Sequence, residues 1–466
     1  MTNHLISKSI AFLTLGCKVN SYETEAIKEI FRGYGTKEVG FSENADIYLI
    51  NTCTVTNIAD RKSRQMLHRA RKQNPAAIVI ATGCYVQEFA KNHEGDDLAD
   101  IYVGNRRKSE IANILNEYYA KVERGEKPEW FYVNDDQSLG AYENMRSVTV
   151  EEHCRAFMKI QDGCNQFCSY CIIPFARGRI ASRKEEDILE EAEALAKAGY
   201  KEIVVTGIHL SSYGLETRSL REQAELKADN GDMPLLDILT KLSEIPGIEQ
   251  IRLGSLEPRI VTEEFTEGLS KLSKICPHFH LSLQSGCDKT LRAMNRKYTT
   301  EEFLTCVKRL RKYFDRPAIT TDIIVGFPGE TEEDFEESVA FAEAVAFSLI
   351  HVFPFSRRKG TVADRMKGQL TEAVKKERAD RLIRVSERLK EEYYRAFLGE
   401  ETAVLVETVT EEEGVLWAKG HCRRYGCYRF PVPSDLAGQM VFVIGTDITT
   451  DCIIQAKMVD ILHKIE

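Results

Sequence analysis

Three apolar runs, "SIAFLTLGC", "ADIYLINTC" and "AAIVIATGC", each end on a cysteine: Cys17, Cys53 and Cys84. Helical periodicity fills the gaps between them, as in "TEAIKEIFRGYG", which closes on a glycine. Strands that alternate with helices predict a parallel sheet covered on both faces. In open sheets of this kind, ligands gather beyond the carboxyl ends of the strands. Cysteine at three successive strand ends therefore predicts a shared metal site. The alternative is plain packing, because buried cysteine is a common core residue.

A polar, irregular stretch over 131–153 reads as a linker. Beyond it the alternation resumes, with strand runs "AFMKIQDGC", "KEIVVTG", "IEQIRLGS", "HFHLSLQSG", "AITTDIIVG" and "SLIHVFPFS". Six such runs separated by helices predict a partial (β/α)6 barrel whose chemistry lies where strands pass into loops. One helix, "SRKEEDILEEAEALAKAG", opens with Ser182 and Glu185 at capping-box spacing and closes at Gly199. The segment "VKKERADRLIRVSERLKEEYYRAFL" predicts a long amphipathic helix with Leu382, Val385, Leu389, Tyr393 and Ala396 on its apolar face. Afterwards the short runs "TAVLVETV", "GVLWAKG", "YRFPV" and "GQMVFVIGTDI", broken by Gly and Pro, predict a small β-barrel. The fold class is thus α/β, divided as a parallel domain over 1–130, a linker over 131–153, a partial barrel over 154–396 and a small β-barrel over 397–466. The polar loop at 216–232 has no assignable role.

The segment "DGCNQFCSYCIIPFARGR" places Cys164, Cys168 and Cys171 in the spacing C-x3-C-x2-C. A structural zinc site takes four ligands, usually as paired knuckles. A cubane iron–sulfur cluster takes one cysteine per iron, so three leave one iron open to an outside ligand. That arrangement suits an enzyme better than an electron carrier. Cys154 is the nearest candidate for a fourth ligand, but it precedes the strand and belongs at its opposite end.

Composition sets the limits on partners and compartment. The 466 residues include 13 cysteines without the spacing of a disulfide framework, which points to a reducing compartment, the cytoplasm. No apolar run approaches the roughly 18 residues needed to span a bilayer, so no membrane is expected as a partner. A net charge of −9 disfavours a general nucleic-acid coat while leaving room for a local basic surface. Cys154, Cys276, Cys287, Cys306, Cys422, Cys427 and Cys452 read as free thiols.

The three-cysteine loop resembles that of the radical S-adenosylmethionine (SAM) superfamily. Together with "LGCKVNSYET", "NTCTVT", "ATGC", "LQSGCDKTLRAMNRKYT" and "TDIIVGFPGETEEDF", the chain resembles the methylthiotransferase family over nearly its whole length. The resemblance implies two [4Fe–4S] clusters. One, on Cys164, Cys168 and Cys171, would bind SAM and reduce it to a 5′-deoxyadenosyl radical. The other, on Cys17, Cys53 and Cys84, would carry the sulfur that SAM methylates. It further implies that the terminal barrel is a TRAM, OB-like domain, with a flavodoxin- or ferredoxin-type electron donor, a sulfur source and a monomeric state. SAM contacts would fall on Thr206, Gly207, Ser255, Glu257, Gln284 and Gly326, although each taken alone reads first as a structural turn residue. Phe167 and Tyr170, interleaved with the cysteines, would shield the site or merely pack.

Members of the family modify tRNA adenosine or a ribosomal-protein aspartate. The motifs here look most like the group that methylthiolates C2 of N6-threonylcarbamoyladenosine at position 37 of tRNA. The isopentenyladenosine group, the ribosomal-protein group and a non-catalytic iron–sulfur RNA-binding protein are the alternatives. Candidate phosphate contacts are Arg61, Lys62, Arg64 and Arg69 in "RKSRQMLHRARK", Arg357 and Arg358 in "SRRKG", and Arg423 and Arg424 in the terminal segment. Tyr425 and Tyr428 could stack bases or fill the barrel core.

Overall fold

The first apolar run forms β1 (Ser9–Thr14), and its cysteine lies beyond the carboxyl end as the cap of α1 (Lys18–Gly33). The computed structural model describes residues 3–92, 98–133, 142–148, 154–226 and 232–461. The chain continues through β2 (Lys37–Val39), β3 (Ile47–Thr52), α2 (Asn57–Gln73), β4 (Ile78–Gly83), α3 (Cys84–Asn92), β5 (Ile101–Val103), α4 (Ile111–Glu123) and β6 (Phe131–Tyr132). These strands pair in parallel in the order β2-β1-β3-β4-β5-β6. Every residue of β3 is buried, as a parallel sheet with both faces covered requires. Sequence patterning finds the three long strands and misses β2, β5 and β6, which are only two or three residues long.

All six predicted strands of the second region form. The elements are β7 (Arg155–Asp162), α5 (Ile173–Ala176), β8 (Ala181–Ser182), α6 (Glu185–Lys197), β9 (Glu202–Gly207), α7 (Leu220–Glu225), α8 (Pro234–Glu244) and β10 (Gln250–Leu253). They continue with α9 (Glu263–Ser270), β11 (His278–His280), α10 (Asp288–Ala293), α11 (Thr300–Tyr313), β12 (Ala318–Val325), α12 (Glu332–Val345), β13 (Leu349–Pro354) and α13 (Glu372–Arg395). Sheet β10-β9-β7-β8 meets sheet β11-β12-β13 through parallel bridges at Ile251–Ile275 and Leu256–Leu281. The result is one run of six parallel strands in chain order. Its outer residues, among them Met158, Val205, Ile251, Phe279 and Ile323, pack under the helices. Strand alternation turns Arg155, Lys159, Glu202, Thr206, Arg252, His280 and Asp322 to the inner side, so the lumen is polar.

The last strands, β14 (Glu401–Glu412), β15 (Val415–Cys422), β16 (Cys427–Val432), β17 (Met440–Ile448) and β18 (Ile454–Ile461), close into a small barrel in the order β14-β15-β16-β18-β17. It is held against the amino ends of the central strands. Arg252 pairs with Glu202 at 2.7 Å and donates to the Arg423 carbonyl at 2.9 Å. Arg423 in turn donates to the Ile275 carbonyl at 2.7 Å.

Three expectations need correction. Ser182 does not cap α6: its hydroxyl donates to Glu216 and accepts from the Gly214 amide, while Lys184 stands at the cap without a side-chain bond. The 142–148 part of the expected linker is packed, with Met145 buried and the Tyr142 hydroxyl donating to the Lys159 carbonyl at 2.7 Å. Residues 134–141 and 149–153 of that stretch lie outside the described residues. The loop at 216–232 contains α7, opened by a Ser219–Glu222 capping box, although 227–231 lie outside the described residues. No helix among the described residues is long and apolar enough to cross a membrane.

Candidate active site

The carboxyl end of β7 delivers the three-cysteine loop, and Gly163 makes its entry possible. Its φ is +69°, and a Cβ there would meet the Arg179 carbonyl oxygen at 2.0 Å. Gln161 organises the turn, donating to the Asp162 and Gly163 carbonyls at 2.7 and 2.8 Å. The segment after α10 clasps the loop from the other side: the Ser169 amide donates to the Met294 carbonyl at 3.0 Å, and Asn295 donates to the Phe167 carbonyl at 2.9 Å. Arg296 reaches Cys168 Sγ at 3.2 Å. Burial, and then Cys168, push the Cys164 thiol up to about 12 and the Cys171 thiol further still.

Cys17, Cys53 and Cys84 converge beyond β1, β3 and β4. Burial first, then Cys84, with Cys17 adding to both, raise the Cys53 thiol to about 11. Glycine again permits the approach. Gly16 has φ +107°, and a Cβ on it would lie 2.9 Å from Cys53 Sγ; Gly83 has φ +101°, and a Cβ there would strike the Thr52 carbonyl at 2.3 Å. In both trios the thiols are free of disulfides. Neither trio belongs to the side-chain groups whose ligand atoms all fall within 4.8 Å of one another. Four thiolates on one zinc, at about 2.3 Å each, would stand only ~3.8 Å apart. A cubane seats each thiolate on its own iron and needs the wider spread.

A buried charged network joins the two trios. Arg177, in the segment that follows Cys171, donates to Glu23 at 2.8 Å and to Asn20 Oδ1 at 2.7 Å, both on α1. Lys159 on β7 reaches Glu23 at 2.8 Å, and Lys108 also pairs with it. Asn105 Nδ2 lies 3.9 Å from Cys84 Sγ and donates to the Ala176 carbonyl at 2.9 Å. Lys18, beside Cys17, has its ammonium pKa lowered, first by burial and then by Arg252 and Arg155. It stands in a recess walled by the central strands, so the Cys17 loop faces the lumen.

Known proteins resemble the chain over most of its length. A profile of the radical SAM superfamily matches residues 158–342, and the uncharacterized protein family UPF0004 matches residues 9–104. The threonylcarbamoyladenosine tRNA methylthiotransferase MtaB of Bacillus subtilis is 40% identical over 93% of this chain and 93% of its own. The protein of that name from Aquifex aeolicus is 41% identical over 85% of this chain and 92% of its own. The chain belongs to the radical SAM methylthiotransferase family. A tRNA-2-methylthio-N(6)-dimethylallyladenosine synthase from a Thermoanaerobacter strain is 36% identical over 86% of this chain and 82% of its own. Among solved structures, the radical SAM methyltransferase TsrM of Kitasatospora setae superposes with a TM-score of 0.53 at 14% identity, covering 74% of this chain and 73% of its own, a likeness of fold.

Membership in the radical SAM superfamily brings SAM and a [4Fe–4S] cluster as cofactors. The expected SAM contacts of this methylthiotransferase divide by their present partners. Thr206 and Gly207 end β9 beside Gln161, whose side-chain oxygen would sit 2.9 Å from a Cβ on Gly207. Glu257 is occupied: its carboxylate pairs with Arg259 at 2.8 Å and caps a short turn. The Gly326 amide donates to Glu330 at 2.7 Å. Gln284 holds φ +73° with its amide bonded to the Asp322 carbonyl at 2.9 Å, and Ser255 is exposed.

The expected basic contacts also separate. Arg61, Lys62, Arg64 and Arg69 stand exposed on α2. Arg357 is exposed and pairs with Asp364 at 2.6 Å. Arg358 is buried and bonded to Asn57 at 2.8 Å and Asp60 at 3.3 Å, so it ties the loop after β13 to α2 and cannot meet a phosphate. Arg423 is spent on the Ile275 carbonyl, and Arg424 on Asp315 at 3.0 Å. Tyr425 is wedged between His278 and His421, at 4.9 and 4.6 Å, and Tyr428 is core, so neither is free to stack a base.

Phe167 is exposed with φ +50°, under Arg179 at 5.2 Å and edge-on to Phe175 at 6.1 Å, whereas Tyr170 packs with Met294, Phe327 and Phe355. Sequence reasoning misses Asn105, Arg177, His209 and Arg296 as functional residues. Burial, and then Arg296 and Arg259, lower His209 to about 3, and its Nε2 has no hydrogen-bond partner among the described residues. Arg177 and Arg296 lie in motif segments, but only tertiary contact reveals what they touch.

Proposed function

We propose that this methylthiotransferase uses two cysteine-bound [4Fe–4S] clusters to methylthiolate C2 of N6-threonylcarbamoyladenosine at position 37 of tRNA. The observation that carries the reading is the placement of two cysteine trios on either side of one buried polar seam, linked through Asn105 and Arg177. Cys164, Cys168 and Cys171 would hold the SAM-binding cluster, and Cys17, Cys53 and Cys84 the auxiliary one. When bound, these groups supply reductive SAM cleavage and a sulfur to be transferred.

The chain's own residues orient and enclose. Gln161 and His209 shape the turn beside the first trio, with the His209 amide donating to Gln161 at 2.7 Å. His209 stays neutral, so it presents a dipole rather than a charge to the recess. Both trios at one seam give the proximity that radical capture needs. The chain divides as a cluster-bearing domain over 1–130, a connecting stretch over 131–153, a radical SAM core over 154–396 and a TRAM-like barrel over 397–466. Exposed Arg61, Lys62, Arg64 and Arg69 would meet tRNA phosphates. A flavodoxin- or ferredoxin-type donor would supply electrons, and a separate source would replace the sulfur.

The threonylcarbamoyl substrate is supported by the B. subtilis relative, 40% identical over 93% of the chain. The test is expression in cells lacking their own methylthiotransferases, followed by mass spectrometry of tRNA nucleosides. Methylthio on threonylcarbamoyladenosine, absent with Cys53→Ala and Cys168→Ala, is the expected result. Methylthio on isopentenyladenosine would overturn the substrate, and unmodified tRNA would overturn the activity.

A further inference from the structure

The lumen wall carries a group of ligands that neither cysteine trio uses. His280 on β11, Asp322 on β12 and His351 on β13 occupy three neighbouring strands. Register pairs His280 with Thr320 and Asp322 with His351, so the three side chains leave the same face. One ligand atom from each lies within 4.8 Å of the other two.

The contact between His280 and Asp322 is the informative one. His280 Nε2 is 3.3 Å from Asp322 Oδ2, yet Nε2 is buried and has no hydrogen-bond partner among the described residues. Two such atoms are close without being aimed at each other. That is the relation of two donors sharing a third atom. Metal bonds of about 2.1 Å meeting at right to tetrahedral angles separate their donors by ~3.0–3.4 Å. His280 Nδ1 meets Thr320 Oγ1 at 3.1 Å, the kind of outer hydrogen bond that fixes a ligating imidazole. The His351 ring lies 5.9 Å from that of His280 at 34°. His351 is exposed and Asp322 partly so, and Lys18 shares the recess with them.

We propose that His280, Asp322 and His351 bind one divalent first-row transition-metal cation, separate from either cysteine trio. Two imidazoles and one carboxylate favour manganese, iron, cobalt or zinc over calcium or magnesium. Mn2+ is the probe of choice, because the chain's many thiols compete poorly for it.

The experiment takes cluster-loaded protein in its oxidised, EPR-silent state, freed of loose metal by gel filtration. Mn2+ is titrated in and the free ion is followed by EPR. One Mn2+ per chain is expected, held at least tenfold more weakly in both Asp322→Asn and His351→Gln. The His351 change is on an exposed side chain, so it leaves the fold intact, and iron content and circular dichroism verify this for each variant. Absence of saturable binding to the parent protein, or equal affinity in the parent and both variants, would overturn the site.

Discussion

Arg177 Nη1 lies 2.8 Å from Glu23 Oε1, with both side chains buried, and this pair fastens the first cysteine-bearing sheet to the second. Lys108 and Lys159 share the same carboxylate, and Asp162 accepts from Arg177 at 3.2 Å. Glu143 lies near Lys108 and Lys159 as well, so three carboxyl groups face the three cations, and Arg177 stands beside Cys84.

Glu23→Gln removes the anion at the centre of this network. Breaking a buried pair from one side leaves uncompensated charge and costs about 3–5 kcal/mol. On the proposed two-cluster reading, the variant should lose both clusters on mild heating while the parent retains them, followed by absorbance and thermal unfolding. The pH dependence has a definite sign. Burial raises the Glu23 carboxyl pKa, but Arg177, Lys108 and Lys159 outweigh it and hold the group well below its ordinary value. Its contribution is therefore complete above the unfolded pKa of about 4.3 and fades only as the pH falls below it. The stability gap between parent and variant should stay constant from neutral pH to about 5 and narrow in stronger acid. A gap that narrows between neutral pH and about 6 would contradict the assignment.

Gly16→Ala places a Cβ 2.9 Å from Cys53 Sγ at a φ of +107°. Strain of about 1–3 kcal/mol falls directly on the N-terminal trio. With the two clusters proposed above, iron should drop from about eight to about four atoms per chain, with SAM binding retained. Gly33→Ala provides the contrast, since nothing lies within 4 Å of its Cβ position. Iron analysis that shows equal loss in the two variants would sink this account.

The long strands and the cysteines at their ends are legible in the sequence because apolar runs and glycine stops are local signals. Short edge strands such as β2 are not, because three residues carry no periodicity. β18 is also hidden, since "IIQAKMVDI" mixes charges into a strand that closes a barrel. Ser182 has the spacing of a helix cap but bonds the Gly214 turn instead, as local chemistry allows either. The basic residues show the limit most sharply. Arg61 and Arg358 look alike in sequence, yet one is exposed on α2 and the other is buried against Asp60.

Arg296 Nη1 donates to Cys168 Sγ at 3.2 Å while Nε bonds Tyr298 at 2.9 Å. On the ligand set proposed above, Cys168 holds a cluster, and a hydrogen bond to such a thiolate favours the reduced, more negative form and raises the reduction potential. Arg296→Met should keep the iron but lower the midpoint potential of that cluster. Turnover should fall about 10–100-fold, the usual range for a residue that supports a ligand from outside. Redox titration separates this from a folding defect. An unshifted potential with normal iron would dismiss the role.

The contrast between Arg61 and Arg358 extends to RNA. Replacing Arg61, Lys62 and Arg64 together with Ala removes three exposed charges from one face of α2 and touches no core residue. Thermal unfolding should be unchanged within about 0.5 kcal/mol. Affinity for tRNA should fall, and the slope of log K against log salt should flatten by about 0.7–0.9 for each phosphate no longer neutralised. Arg358→Ala should do the reverse. It strips Asn57 and Asp60 of a buried partner, so stability falls, while the salt slope stays as in the parent. Filter binding over a salt series, run beside calorimetry on both variants, distinguishes a surface that holds RNA from a tie that holds the protein together. If the triple variant keeps the full slope, the phosphates must meet some other face.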